Sequence, residues 1–121
     1  MVTVGYMNGT DPALLSKLAA AGIDTIPISN GWDGHGKYIA HITANDGINA
    51  VVGYFHKFTT AKDSSMTPAD LLGPCIENGV KVFVIARKLD HATVVRALGS
   101  AASYVTLVRP RETEKALLGL L

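Results

Sequence analysis

Short apolar runs alternate with amphipathic stretches along the chain, and the alternation predicts strands and helices in turn. Thr3 to Met7 reads as an opening strand, broken by Asn8-Gly9-Thr10-Asp11-Pro12. Thr10 or Asp11 can cap the helix that follows, and Pro12 suits its first position, where no N–H is needed. Leu14, Leu15, Leu18 and Ala21 give that helix an apolar stripe, and Gly22 stops it. Thr25 to Ile28 is a second strand, Ile48 to Phe55 a third, Val80 to Ala86 a fourth and Tyr104 to Val108 a fifth. Thr67-Pro68-Ala69-Asp70 combines a cap, a first-position proline and an acid at the third position, so a helix starts there. Leu71, Leu72, Cys75 and Ile76 form its apolar face and Gly79 ends it. Asp90 is the expected cap of a helix marked by Val94, Val95 and Leu98. A last helix opens at Pro110 and runs through Leu117, Leu118, Leu120 and Leu121.

Two segments fit this rhythm less simply. Read as a helix, Lys37 to Ala44 places Ile39 and Ile42 on one face; read as a strand, it makes Asp46-Gly47 a hairpin turn into Ile48. The helix is preferred, because every other pair of strands is separated by one. Phe58 to Met66 is a polar loop longer than most strand-to-helix connections, a length typical of lids and binding loops. Strands separated by helices must run parallel with right-handed crossovers. The expectation is a single α/β domain over residues 1–121, a three-layer flavodoxin-like (Rossmann-like) sandwich with a five-stranded, mostly parallel sheet.

Composition narrows the functional classes. Hydrophobic residues make up 48% and charged residues only 17%, enough apolar material for a core and too much for disorder. The low charge fraction favours a homo-oligomer, as does the apolar last helix. A net charge of +1 supplies no field to attract nucleic acid or a membrane surface. No leader segment and no run of the ~20 apolar residues a membrane span needs is evident, so a soluble cytoplasmic protein is expected. The single Cys75 excludes an internal disulfide and reads as a small buried hydrophobe. Four scattered His and one Cys give no metal-ligand spacing, so no metal site is expected. Neither a G-x-G-x-x-G or Walker loop nor a G-x-S-x-G elbow is present.

The richest chemistry follows the second strand, in Ser29-Asn30-Gly31-Trp32-Asp33-Gly34-His35-Gly36-Lys37. Glycines let backbone N–H groups approach a ligand, and Asp33, His35 and Lys37 supply charge and proton transfer. The alternative is a glycine-rich turn whose polar side chains bond only to their own backbone. In parallel sheets ligands bind beyond the carboxyl ends of the strands, near the switch in strand order. That rule gathers Asn8, Asn30, Gly31, Trp32, Gly34, Gly36, His56, Lys57 and Arg87 as ligand-binding candidates, with Asp33, His35 and Lys37 as catalytic ones. Arg87, Lys88 and Arg109 have the donors to hold a phosphate or carboxylate, so a small anionic molecule is the expected partner. His41 and His91 read as structural.

Asp33-Gly34-His35, followed by Lys37, Ile39 and Ala40, resembles the D-x-H-x-x-G loop of cobalamin-binding domains. The resemblance implies a flavodoxin-like fold in which His35 is the lower ligand of the cobalt and Asp33 orients it. It makes a non-catalytic, cobalamin-like carrier module the second functional expectation. A subunit of a larger complex is the third.

Overall fold

The computed structural model describes residues 1–59 and 65–121. Six parallel strands form one sheet in the order β3-β2-β1-β4-β5-β6. They are β1 (Thr3–Met7), β2 (Asp24–Ser29), β3 (Lys37–Tyr38), β4 (Ala50–Tyr54), β5 (Lys81–Ile85) and β6 (Val105–Val108). Among the described residues four α-helices accompany them: α1 (Pro12–Ala20), α2 (Pro68–Glu77), α3 (His91–Leu98) and α4 (Thr113–Leu118). Five of the strands are those the apolar runs predict. Set β3 aside and their order is the flavodoxin-like one, with the switch between β1 and β4.

The sixth strand, β3, is a correction to the expected five, and it belongs to the segment read as a helix. Lys37–Tyr38 adds two residues to the sheet edge beside Ile28 and Ser29. Single 3₁₀ turns then follow at Ile39–His41 and Ala44–Asp46, separated by extended backbone at Ile42 and Thr43. The helical spacing of Ile39 and Ile42 is met by a 3₁₀ turn just as well, and both residues are buried. Thr43 and Asp46 cap each other reciprocally, and Lys37 Nζ reaches Asp46 Oδ1 at 2.9 Å. Those local bonds hold the chain in turns where a helix would need a continuous ladder.

Two apolar cores lie on opposite faces of the sheet. On one face Leu14 and Leu18 of α1 and Leu117 of α4 cover Val4, Ala50, Val52, Phe83 and Ile85. On the other, Leu71, Leu72 and Cys75 of α2 and Val94 and Leu98 of α3 cover Met7, Ile28, Val51, Val82 and Val84. Because β5 lies between β4 and β6 with helices on both faces, Val82 to Ile85 are all buried, as their unbroken apolar run requires. Burial pushes the Cys75 thiol up to about 12, so it stays protonated and inert at neutral pH.

Two sequence expectations shift at the ends of these elements. Phe58, placed by the pattern in a polar loop, closes a 3₁₀ turn after β4 and is fully buried. Part of that loop, residues 60–64, lies outside the described residues, and the lid expectation with it. Asp90 stands at the start of α3 without capping it, because its carboxylate accepts from Arg87 Nε at 3.0 Å. Thr67 and Asp70 form the reciprocal capping box read from sequence, and the Thr67 N–H holds the Asp70 carboxyl below its ordinary value.

Candidate functional site

The loop after β2 is organised by its own short side chains. Asn30, itself buried, accepts from the Trp32 and Asp33 N–H groups through Oδ1. Ser29 Oγ accepts from the Gly31 N–H and donates to Asp33 Oδ1 at 2.9 Å. Asp33 Oδ1 also accepts from the His35 N–H, at 3.2 Å. Such bonds fold a polar loop back on its own backbone. Asp33 Oδ2 is buried without a hydrogen-bond partner among the described residues.

The loop is also tied across the sheet. Asn30 Nδ2 donates to the Lys57 carbonyl at 3.1 Å, and Trp32 Nε1 donates to the Thr59 carbonyl at 3.3 Å. Lys57 Nζ sits 5.2 Å from the centre of the Trp32 ring, within cation–π range. Since β1 separates β2 from β4, these bonds bridge the carboxyl end of β1, beside the switch point. Asn8 lies in the turn that follows β1 there, a turn closed by Thr10 N–H and Oγ1 on the Met7 carbonyl. The start of α1 is occupied from within: the Asp11 carboxylate accepts from the Ala13 N–H, and Pro12 has no N–H to offer an anion.

Asp33, His35 and Lys37 are thus not one constellation. The His35 Nδ1 lies 3.2 Å from the Ile28 carbonyl, and the ring meets Tyr6 edge-on at 5.3 Å. The Ile28 carbonyl can only accept, so that contact places the ring proton on Nδ1 and leaves Nε2 with a lone pair. The backbone and Tyr6 orient the imidazole; the Asp33 oxygen that has partners binds Ser29 and the His35 N–H. Lys37 turns to Asp46, whose carboxyl is held below its ordinary value by the Thr43 N–H first and Lys37 second. Gly31 and Gly36 have φ of +94° and +86°, and a Cβ there would strike the Tyr38 ring and the Pro27 carbonyl respectively. Gly34, at φ +64°, faces open space.

The other candidates converge elsewhere. At the carboxyl ends of β4 and β5 a cleft of about 330 Å³ has Phe55, Ile85, Ala86, Val94 and Pro110 as apolar walls. Tyr54, His56, Arg87, Asp90 and Thr93 complete its lining. His56 is exposed and stacks on Tyr54 at 6.3 Å between ring centres. Arg87 follows β5 and, among the described residues, is held by Asp90 through Nε alone. A matching turn follows β6, where Glu112 engages Arg109 through both Nε at 2.6 Å and Nη2 at 2.9 Å. Arg109 holds the Glu112 carboxyl down to about 2.

Of the residues read from sequence, the structure therefore groups Asn30, Gly31, Trp32 and Lys57 in a braced bridge, and His56 and Arg87 in an apolar-walled cleft. Sequence reasoning missed Tyr54, Asp90, Thr93 and Pro110 as lining. The one readable signal was the spacing of Arg87 and Asp90, which lets a 3₁₀ turn pair them. His91 and His41 have structural partners, the Ala86 carbonyl at 2.9 Å and the Tyr38 ring at 4.7 Å. Among the described residues no group of acids, His and Cys is arranged to hold a metal ion, and no helix is long and apolar enough to cross a membrane.

No family model matches this chain, and no curated protein does. Among solved structures, it is similar to the UDP-N-acetylglucosamine 4-epimerase from Bacillus cereus, at 12% identity and a TM-score of 0.43. The match covers 72% of this chain and 36% of that one.

Proposed function

We propose that this domain binds a small anionic molecule in the cleft at the carboxyl ends of β4 and β5. The observation that carries the reading is the convergence of His56 and Arg87 on a mainly apolar cleft of about 330 Å³. Its size suits a small molecule, and a few polar groups among apolar walls are what fix a ligand's orientation. Its place agrees with the rule that parallel sheets bind ligands beyond their strand ends. The test is a titration followed by amide NMR shifts, with small carboxylates and phosphate esters as probes. Saturable shifts confined to residues 54–57, 85–94 and 110 are expected. Arg87→Ala should weaken binding at least tenfold, leaving the melting temperature nearly unchanged, because the side chain is exposed. Shifts centred on Trp32 and His35 would move the site to the other loop.

One observation favours a second reading, in which His35 takes a proton from a bound molecule: its Nδ1 faces the Ile28 carbonyl, which leaves Nε2 as the basic nitrogen. Asp33 would act there by fixing the loop backbone. His35→Ala would abolish turnover with little change in melting. A cobalamin-like carrier would use the same nitrogen as a metal ligand, and reconstitution with cobalamin followed by its visible spectrum distinguishes the two.

A further inference from the structure

We infer that the ligand of the β4–β5 cleft is a monocarboxylate with a compact, flat apolar body; this rests on the reading of that cleft as an anion site. The two turns that follow β5 and β6 are built alike, each with an arginine anchored by a carboxylate three residues on, and the donors that Arg87 keeps for the cleft carry the inference. Arg109 lays one edge of its guanidinium, Nε and Nη2, against both oxygens of Glu112. Among the described residues Arg87 is anchored by Asp90 at Nε only, at 3.0 Å. A guanidinium has five N–H donors in a rigid fork, so anchoring at Nε still leaves the Nη1–Nη2 end as a pair of parallel donors. That end matches the two oxygens of a carboxylate.

The rest of the lining limits the charge and shape of the occupant. Among the described residues Arg87 is the cleft's one guanidinium, and Asp90 beside it already offsets part of its charge. A dianionic phosphate would meet that carboxylate with no second strong cation among the described lining residues to balance it. Lys88, Arg109 and Arg111 line a separate open depression with Leu89, shared with the cleft only at Arg87 and Pro110. The walls of Phe55, Ile85, Ala86, Val94 and Pro110 call for an apolar body, and the aromatic rings of Tyr54, Phe55 and His56 among the lining suit a flat one. Thr93 contributes a hydroxyl for one further polar atom.

The probes are benzoate, its neutral analogue benzamide, and phenyl phosphate, each titrated into the whole chain with NMR detection. Benzoate is expected to saturate the cleft resonances, to bind at least tenfold tighter than benzamide, and to bind no more weakly than phenyl phosphate. Arg87→Lys keeps the charge and loses the fork, so it should weaken benzoate at least tenfold. Asp90→Asn, which loosens the anchor, should weaken it less, and an unchanged unfolding curve would show that both variants fold. If phenyl phosphate binds tightly and benzoate does not, the carboxylate assignment falls and the anion site stands. If no probe perturbs the cleft, both fall. If benzamide binds as well as benzoate, the cleft is an apolar pocket; if Arg87→Lys has no effect, charge and not the fork holds the anion; either result overturns the inference.

Discussion

Gly36 fixes the shape of the loop after β2. Its φ of +86° is a conformation that L side chains rarely adopt, and its missing Cβ leaves room for the Pro27 carbonyl. Gly34 shares the positive φ, at +64°, but faces open space. Gly34→Ala should therefore cost only the conformational strain, about 1–2 kcal/mol. Gly36→Ala adds a clash with backbone that cannot swing aside, and should cost clearly more in denaturant unfolding. Equal losses would show that the clash relaxes. The comparison bears on what a sequence can say about such a loop. Its glycines suggest close approach to a ligand, yet Gly31 and Gly36 already have neighbours, Tyr38 and Pro27, that require them. Asp33 and His35 suggest a catalytic pair, yet the carboxylate binds the backbone N–H and the ring faces Ile28. Both facts depend on where β2 and β3 lie side by side, which no local pattern records.

At the scale of elements, the pattern is most readable where one face of a regular element is buried. The stripe of α1, the capping box of α2 and the apolar run of β5 all form where the residues place them. It fails between β2 and β4, where spacing by three suits a 3₁₀ turn as well as a helix and the choice falls to side-chain bonds among Lys37, Thr43 and Asp46. The turn after β6 supports a pH prediction. The Glu112 carboxyl is lowered from an ordinary 4.5 to about 2, chiefly by its hydrogen bonds from Arg109. A carboxylate whose folded value is depressed stabilises the fold above its unfolded value, and that contribution is lost as pH falls toward the folded one. The wild type should thus be more stable than Glu112→Gln by a constant margin above about pH 5, and the margin should shrink as pH falls from there and vanish only below about pH 2. Parallel urea titrations across that range measure it. Because the pair is exposed, the margin should be small and should fall further in high salt. A margin that does not shrink between about pH 5 and pH 2 would assign the effect to something other than the ion pair.

For the whole molecule, the order of strands decides which residues can meet, and the last helix decides whether the sheet's first face is closed. Read as a sequence, Ala116, Leu117, Leu118, Leu120 and Leu121 are too apolar for a free surface and suggest contact between copies. In the folded chain most of that apolar area is enclosed: Leu117 is fully buried over β4 and β5, and Ala116, Leu118 and Leu120 pack against the same core. Leu121 alone among them stays open, at 65% exposure. The sequence shows that the helix must be covered; what covers it depends on α1 and the sheet lying within reach, which is a property of topology. Self-association through this helix therefore remains a proposal resting on its exposed end, and it makes a different prediction from closure within one chain. Under closure, Leu117→Ala leaves a cavity in the core and should cost about 2–5 kcal/mol, whatever the protein concentration. Leu121→Ser should change stability by no more than about 0.5 kcal/mol. Truncation after Glu114 should lower the melting temperature sharply, because it exposes the face of β4 and β5 beneath Leu117. Thermal unfolding at two concentrations a hundredfold apart, with sedimentation of each variant, separates the cases. A melting temperature that rises with concentration in the wild type and loses that dependence in Leu121→Ser would place the helix between copies, since only an associating fold gains stability by mass action.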